Sequence, residues 1–405
     1  MERQGIIQYD PYVTSNSPMV IVKKPSGALR ICNNFIELNK RTQVEPYLMS
    51  NIGDLLNRVG GARFVSRVDL RSSYFQIPLA KESQPLCSFQ SPFGSFRYLR
   101  LPMGLVNGGA TLQRLMDLLL RGAHKWADKV LDDVIVYTMT FDDHLKALAD
   151  VFGRLQRAGL TAKMEKCHFA TDEIRIFGYL LQQGKIFPDP AKTEAIKKWP
   201  KPRTKKELKS FNGLCSFFRS HIKNFAEIVH PLNELLAKHK PEKLRWEDRH
   251  EEAFSELKAR LTSKPVLFPP QPDKPFEIYA DSSAHTLGAV LLQRADSGDE
   301  TETPHVVSYA SRKLSGAEQR FPIVERELLA IVFALAKFRD LVYGRKICLR
   351  TSSSGLYELP REKKPTFGQM GSVHSGIWRR NHVCKRSVAT HGRTYSSSRK
   401  KRRRK

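Results

Sequence analysis

Two adjacent carboxylates, Asp132 and Asp133, interrupt the apolar, β-prone runs of KVLDDVIVYT (129–138). An ionised pair in that setting cannot be ordinary core, because burying charge without partners is strongly unfavourable. A tight turn would set both at the tip of a hairpin. Asp69 ends RFVSRVDL (63–70), which alternates apolar and polar residues as a half-buried strand does. If that strand lies beside the hairpin, Asp69 becomes a third oxygen donor. Three gathered carboxylates suit Mg²⁺, a hard cation commonly shared with substrate phosphates. Two such ions can clamp the attacking and leaving oxygens of a phosphoryl transfer. A solvated turn would also place two aspartates between strands, and the local text leaves both readings open. Further along, Asp281 ends FEIYADSS (276–283) and Glu327 opens the amphipathic VERELLAIVFALAKFR (324–339). Taken singly, these are a strand-end acid and a helix-surface acid.

The elements that must position these groups are legible in outline. PMVIVKK (18–24) and LRICNNF (29–35), joined by PSG, read as a hairpin. NGGATLQRLMDLLLRGAHKW (107–126) and HLKALADVFGRLQRAGL (144–160) carry helical spacing. Strand, helix, acidic hairpin and helix in that order describe an α+β sheet with helices on one side. After residue 185 the pattern turns mostly helical, KPVLFPPQPDKP (264–275) reads as a linker, and residue 276 begins a second α/β-type unit.

Composition narrows the partners. A net charge of +27 implies a polyanion, most simply nucleic acid. Residues 361–405 hold 15 Lys or Arg against one Glu, which leaves about +13 (27 less 14) on the rest of the chain. A body basic without its tail favours a nucleic-acid channel over a basic appendage. The longest apolar runs are too short for a membrane span. Six scattered cysteines without a CxxC pair read as free thiols in a reducing, intracellular compartment.

Several segments together resemble the reverse transcriptases of gypsy-type LTR retrotransposons. VKKPSGALRICNNFIELNK (22–40) is similar to their fingers, and GGARFVSRVDLRSSYFQIPL (60–79) to the strand carrying their first catalytic Asp. FGSFRYLRLPMGLVNGGATLQRLM (93–116) resembles their substrate-pocket turn and helix, and VLDDVIVY their aspartate-pair hairpin. FEIYADSSAHTLGAVLLQ (276–293), VVSYASRKLSGAEQRF (306–321) and 324–339 continue the resemblance into RNase H. It implies a right-hand polymerase with fingers, palm and thumb, then a helical connection and an incomplete RNase H-like α/β domain. The implied boundaries are 1–185 for fingers and palm with an absent N-terminal part, 186–263 for thumb and connection, 264–275 for the linker, 276–357 for RNase H, and 358–405 for a basic tail.

The resemblance also implies residue roles. Asp69, Asp132 and Asp133 match the metal-binding triad, for Mg²⁺ with Mn²⁺ as a substitute. Arg30 and Lys24 match triphosphate contacts, Tyr74 the aromatic that blocks a ribose 2′-hydroxyl, and Met103 the floor of the nucleotide pocket. Lys166 matches a proton donor to pyrophosphate, though a solvated lysine fits that text equally. Asp281 and Glu327 match two RNase H metal ligands. The implied partners are a primed RNA or DNA template, an RNA–DNA hybrid and deoxynucleoside triphosphates.

This chain departs from the family pattern at several positions. Val130 stands where an aromatic is usual, Asn33, Asn34, Phe35 and Ile36 replace a stretch with an acid and an arginine, and Gly109 replaces a proline. Ser352 stands where RNase H has a third acid, and residues from 358 on lose the resemblance, which is the expectation for a frameshifted or misassigned end. The terminal RKKRRRK would then be a translation by-product rather than a nuclear signal or nucleic-acid tail. Three functions compete: an active RNA-directed DNA polymerase with a defective RNase H, a decayed nucleic-acid-binding relic, and a stand-alone ribonuclease H, the last disfavoured by Ser352.

Overall fold

The computed structural model describes residues 1–13, 15–23, 27, 29–48, 51–271, 273–294 and 304–351, with backbone only for Arg30 and Thr351. Lys24, Ser352 and the segment 358–405 lie outside the described residues. The chain forms two compact units, Met1–Lys198 with Lys264–Pro270, and Trp199–Ser263 with the described residues from Gln271 on. The Pro-rich stretch therefore divides at 270/271. The helical segment from 199 on shares a unit with the second sheet, whereas the sequence places a boundary at 185/186.

The first unit opens with β1 (Ile7–Tyr9), the hairpin β2 (Met19–Lys23) and β3 (Leu29–Asn33), and helices α1 (Ile36–Arg41) and α2 (Ile52–Val59). Then follow β4 (Phe64–Asp69), β5 (Ser88–Ser91), β6 (Gly94–Tyr98) and α3 (Gly108–Leu119). Next come β7 (Ala127–Val130), β8 (Asp133–Thr138), α4 (Phe141–Arg157) and β9 (His168–Thr171). The unit continues with β10 (Glu173–Ile176), β11 (Tyr179–Gln182), β12 (Lys185–Pro188) and α5 (Pro190–Lys197).

The central sheet has the order β7-β8-β4-β9, and smaller sheets run β1-β6-β5 and β10-β11-β12. β8 is buried along nearly its whole length, which explains its continuous apolar run. Against this sheet pack Leu112 and Met116 of α3 and Ala147, Val151 and Leu155 of α4, meeting Val68, Val134 and Val136. Thr140 starts α4 by accepting a hydrogen bond from the Asp143 amide at 3.2 Å, a side-chain N-cap. Phe35, Cys87, Phe89 and Tyr98 form a separate small core under β5 and β6.

The second unit holds α6 (Lys205–Phe217), α7 (Phe225–Glu234) and α8 (Asp248–Thr262). Its sheet comprises β13 (Phe276–Ser282), β14 (Thr286–Gln293), β15 (His305–Lys313) and, after α9 (Ile323–Lys337), β16 (Ile347–Thr351). The order is β15-β14-β13-β16, with β16 parallel to β13 and the other pairs antiparallel. Ala330, Ile331, Ala334 and Leu335 of α9 cover one face, meeting Phe276, Ile278, Ala280, Leu287 and Leu291. The start of α7 approaches the other face. The Ala226 amide donates to Ser311 Oγ at 2.9 Å. A Cβ at Gly288 would stand 2.9 Å from Asn224 Oδ1, so a larger residue there would require the Asn224 side chain to shift. Among the described residues no helix is long and apolar enough to cross a membrane.

Candidate active site

Strand pairing brings the three aspartates together. β4 and β8 run antiparallel with Asp69 opposite Asp133, and β7 and β8 pair Val130 with Asp133. Two residues, Leu131 and Asp132, make the turn between β7 and β8. Leu131 has φ 55°, a left-handed conformation that costs a non-glycine residue about 1 kcal/mol or more. Tight two-residue hairpin loops demand such an angle, so the strain is what turns Asp132 out at the tip. The Asp132 carbonyl accepts from the Leu70 amide at 3.2 Å, and the Asp69 carbonyl from the Lys163 amide at 2.8 Å. The turn is thereby tied to the end of β4.

Asp69 and Asp133 are buried, at 6% and 9% exposure, and each faces a cation. Arg67 Nη2 lies 2.9 Å from Asp133 Oδ2, and Lys166 Nζ lies 3.5 Å from Asp69 Oδ2. The other oxygen of Asp133, Oδ1, is buried without a hydrogen-bond partner. Burial pushes the Asp133 carboxyl above its usual range. The Arg67 guanidinium opposes that shift, and the negative charges of Asp132 and Asp69 add to it.

Among the described residues no three His, Cys, Asp or Glu side chains close on one point as a metal cage. The side chains of Asp69 and Asp133 are instead turned onto Lys166 and Arg67. The donor set nonetheless fits a divalent cation. Three carboxylates share one strand end, one buried oxygen has nothing to bind, and the mutual repulsion is what a dication relieves. The backbone register places all three carboxylates at this end of the sheet, whichever cation each now faces.

Arg67 is the residue that the sequence reading missed. Its signal is visible: it stands two residues before Asp69, hence on the same face of a strand.

Tyr74 joins the site. Its ring lies 3.4 Å from where a Cβ at Gly108 would be, and its hydroxyl 3.9 Å from the corresponding point at Gly109. Burial, and then the charge of Asp132, raise its hydroxyl above the usual phenol range. Met103 is 40% exposed in the turn before α3. That turn is held by Asn39, whose Nδ2 donates to the Gly104 carbonyl at 2.9 Å while its Oδ1 accepts from the Val106 amide at 2.8 Å. The unusual Asn33–Ile36 stretch does structural work. Asn33 Oδ1 accepts from the Tyr98 hydroxyl at 2.8 Å, Asn34 Oδ1 from the Ile36 amide at 3.0 Å, and Phe35 is core. Arg30 pairs with Val22 across the hairpin. Val130 is buried, at 6% exposure.

In the second unit Asp281 is exposed at the end of β13 and accepts a hydrogen bond from the Ser282 amide at 2.9 Å. It lines a cavity of about 440 Å³ with Lys223, Asn224, Tyr279 and Arg350. Glu327 is buried near the start of α9. Its neighbour Arg326 donates to the Ser283 carbonyl at 3.1 Å, fastening α9 to the end of β13. β16 brings the chain back beside β13 as far as Thr351, one residue before Ser352.

Residues 21–181 match the family profile described as reverse transcriptase (RNA-dependent DNA polymerase), and 246–349 match the RNase H-like domain found in reverse transcriptase. Residues 21–181 are thus a reverse transcriptase domain, and 246–349 the RNase H-like domain that accompanies it. The chain is similar as well to Drosophila melanogaster retrovirus-related Pol polyproteins. It is 34% identical to that of transposon 297 over 376 residues, covering 90% of this chain and 34% of the relative. To that of transposon gypsy it is 33% identical over 363 residues, covering 85% and 34%. The chain thus spans about a third of the length of the relatives it matches.

Among solved structures, a foamy viral protease-reverse transcriptase in complex with double-stranded DNA shares the fold at TM-score 0.81 and 23% identity, covering 96% of this chain and 68% of that one. The same kind of protein in complex with an RNA/DNA hybrid does so at TM-score 0.75 and 23% identity, covering 100% and 54%. Reverse transcriptases are divalent-metal-dependent polymerases.

Proposed function

We propose that this chain is an RNA-directed DNA polymerase that adds deoxynucleotides to a primer 3′-hydroxyl on an RNA or DNA template inside the cell. The observation that carries this reading is the register pairing of Asp69 with Asp133 beside a turn that presents Asp132. Those three carboxylates would hold Mg²⁺, with Mn²⁺ as a substitute. When bound, the metal lowers the pKa of the primer hydroxyl and offsets charge on the leaving pyrophosphate.

The chain's own residues supply the rest. Tyr74, against Gly108 and Gly109, walls the pocket where a ribose 2′-hydroxyl would project. Arg30, on the fingers hairpin, and Lys24, by its place in the sequence, are assigned to the triphosphate, where a guanidinium fork suits phosphate oxygens. Met103 floors the pocket. Lys166, whose Nζ lies 3.5 Å from Asp69 Oδ2, would give a proton to the leaving pyrophosphate. In the RNase H-like unit Asp281 and Glu327 would be two ligands of a metal pair whose third position is the neutral Ser352. Hybrid cleavage is therefore weak or absent.

Primer extension on a primed RNA template tests the reading, with the intact chain beside Asp132→Asn. Incorporation by the first and not the second is expected. If folded, duplex-binding protein incorporates nothing in Mg²⁺ or Mn²⁺, the chain is instead a nucleic-acid-binding relic. Val130, which replaces an aromatic beneath the triad, favours that second reading.

A further inference from the structure

Lys166 reaches Asp69 by way of an irregularity in β9 that the polymerase reading leaves unexplained. Val65 pairs with Thr171, whereas Arg67 pairs with His168. Two steps along β4 therefore meet three along β9, and Phe169 and Ala170 stand together opposite Ser66. This is a β-bulge, with Ala170 at φ 45°, a left-handed angle unfavourable for a residue that carries a Cβ. An unbroken ladder from Val65 would set Phe169 opposite Arg67. The residues just before the bulge would then move by one position and turn to the other face. Lys166 is among them, since it ends the 3₁₀ turn Met164–Lys166 that leads into β9. In the bulged register its Nζ lies 3.5 Å from Asp69 Oδ2.

The bulge sits on the edge strand of its sheet, and a chain of buried hydrogen bonds holds it. The Ala170 amide donates to Ser66 Oγ at 2.9 Å, and Ser66 Oγ lies 2.6 Å from His144 Nε2. His144 Nδ1 is 3.0 Å from Thr138 Oγ1, which donates to the Thr140 carbonyl at 3.0 Å. The protons along this chain assign themselves. Thr138 gives its only hydroxyl proton to Thr140, so it accepts from His144 Nδ1–H. On a neutral ring Nε2 is then an acceptor, and it takes the Ser66 hydroxyl proton. Burial holds the ring below the usual imidazole range, which favours the neutral form. Ser66 and His144 are both at 0% exposure, so bulk water does not compete for these bonds. His144 on α4 thus grips Ser66 on β4, and Ser66 grips the extra residue of β9.

We propose that Ser66 and His144 form a latch that fixes this bulge and thereby sets Lys166 against Asp69. Both are positioning residues for proton transfer from Lys166 Nζ to an oxygen of the leaving pyrophosphate. The inference rests on the polymerase reading and on the proton-donor role given there to Lys166.

The test is single-turnover primer extension by the full chain at varied deoxynucleotide concentration, beside amide exchange of residues 168–171 read by mass spectrometry. Ser66→Ala and His144→Leu should each lower the maximal rate by about tenfold or more, as a displaced catalytic group does. The half-saturating nucleotide concentration should stay at the parental value, and exchange of the bulge should accelerate. His144→Gln keeps an acceptor facing Ser66 and should retain most of the rate. Ala170→Gly adopts the left-handed angle without strain and should recover part of the rate lost in His144→Leu. Lys166→Met then separates positioning from stability. In that slower background the Ser66 and His144 substitutions should have no further effect, because the group they position is gone. The proposal is overturned if they slow that background by the same factor as the parent, or if exchange at 168–171 does not change. A parent that incorporates nothing overturns the polymerase reading instead, and the exchange result then decides for or against the latch itself.

Discussion

The contact between Arg67 and Asp133 makes a prediction that reports on the metal-site assignment without measuring catalysis. Asp133 has a side chain only 12% exposed, while that of Arg67 is 31% exposed. Breaking a fully buried pair by removing one partner costs about 3–5 kcal/mol. A hydrogen bond to a charged group contributes about 1.5–3 kcal/mol. Because Arg67 keeps partial solvent access, the lower figure applies, and Arg67→Met should destabilise the β7–β8 hairpin by about 2 kcal/mol. The methionine replaces the apolar stem of the arginine, so the loss is mainly electrostatic. A change of 2 kcal/mol accelerates exchange of the β8 amides by about 30-fold, which mass spectrometry of peptides spanning residues 127–138 would read. The decisive comparison is the same experiment with saturating Mg²⁺. If Asp69, Asp132 and Asp133 hold a dication, the ion substitutes for the lost guanidinium and most of the acceleration disappears. Equal acceleration with and without Mg²⁺ would refute the assignment, and no acceleration at all would refute the electrostatic account of the pair.

Three further outcomes follow from the geometry. Leu131→Ile conserves volume but places a β-branched side chain at φ 55°, so thermal unfolding should show a loss of about 1–2 kcal/mol and primer extension should slow as the turn distorts. Tyr74→Ala removes the ring packed on Gly108, and competition between ribo- and deoxynucleotides should show discrimination falling by about tenfold or more. Glu318 is held down to about 2 by hydrogen bonds from Arg312, then from the Ser315 amide. Its folded-state pKa lies below the unfolded value of about 4.3. It therefore stabilises the second unit above that value and loses the contribution as pH falls toward 2. Acid unfolding of Arg312→Met should begin at higher pH than that of the parent, followed by circular dichroism.

The sequence by itself determined the local elements and the identity of the chemical groups. The alternation of RFVSRVDL, the helical spacing of 144–160 and the apolar flanks of Asp132 and Asp133 are short-range patterns, and each became the element its period dictated. The acids were named as candidates from residue type and strand ends, and Tyr74 and Met103 from the order of the motifs in which they stand. What only the tertiary structure decided depends on pairing between distant segments. No local pattern states that Arg67 faces Asp133, because that contact exists only once β4 lies against β8 in the register that sets Asp69 opposite Asp133. Nor could residues 33–36 be recognised as core and capping groups before β3, α1 and Tyr98 met. The same holds for the joining of α6–α8 to the second sheet, sealed at Asn224 over Gly288, and for the hydrogen bond that joins Ser66 of β4 to His144 of α4. Burial and charge act through space, so a chain written in one dimension names the groups while the packing of remote elements chooses their partners.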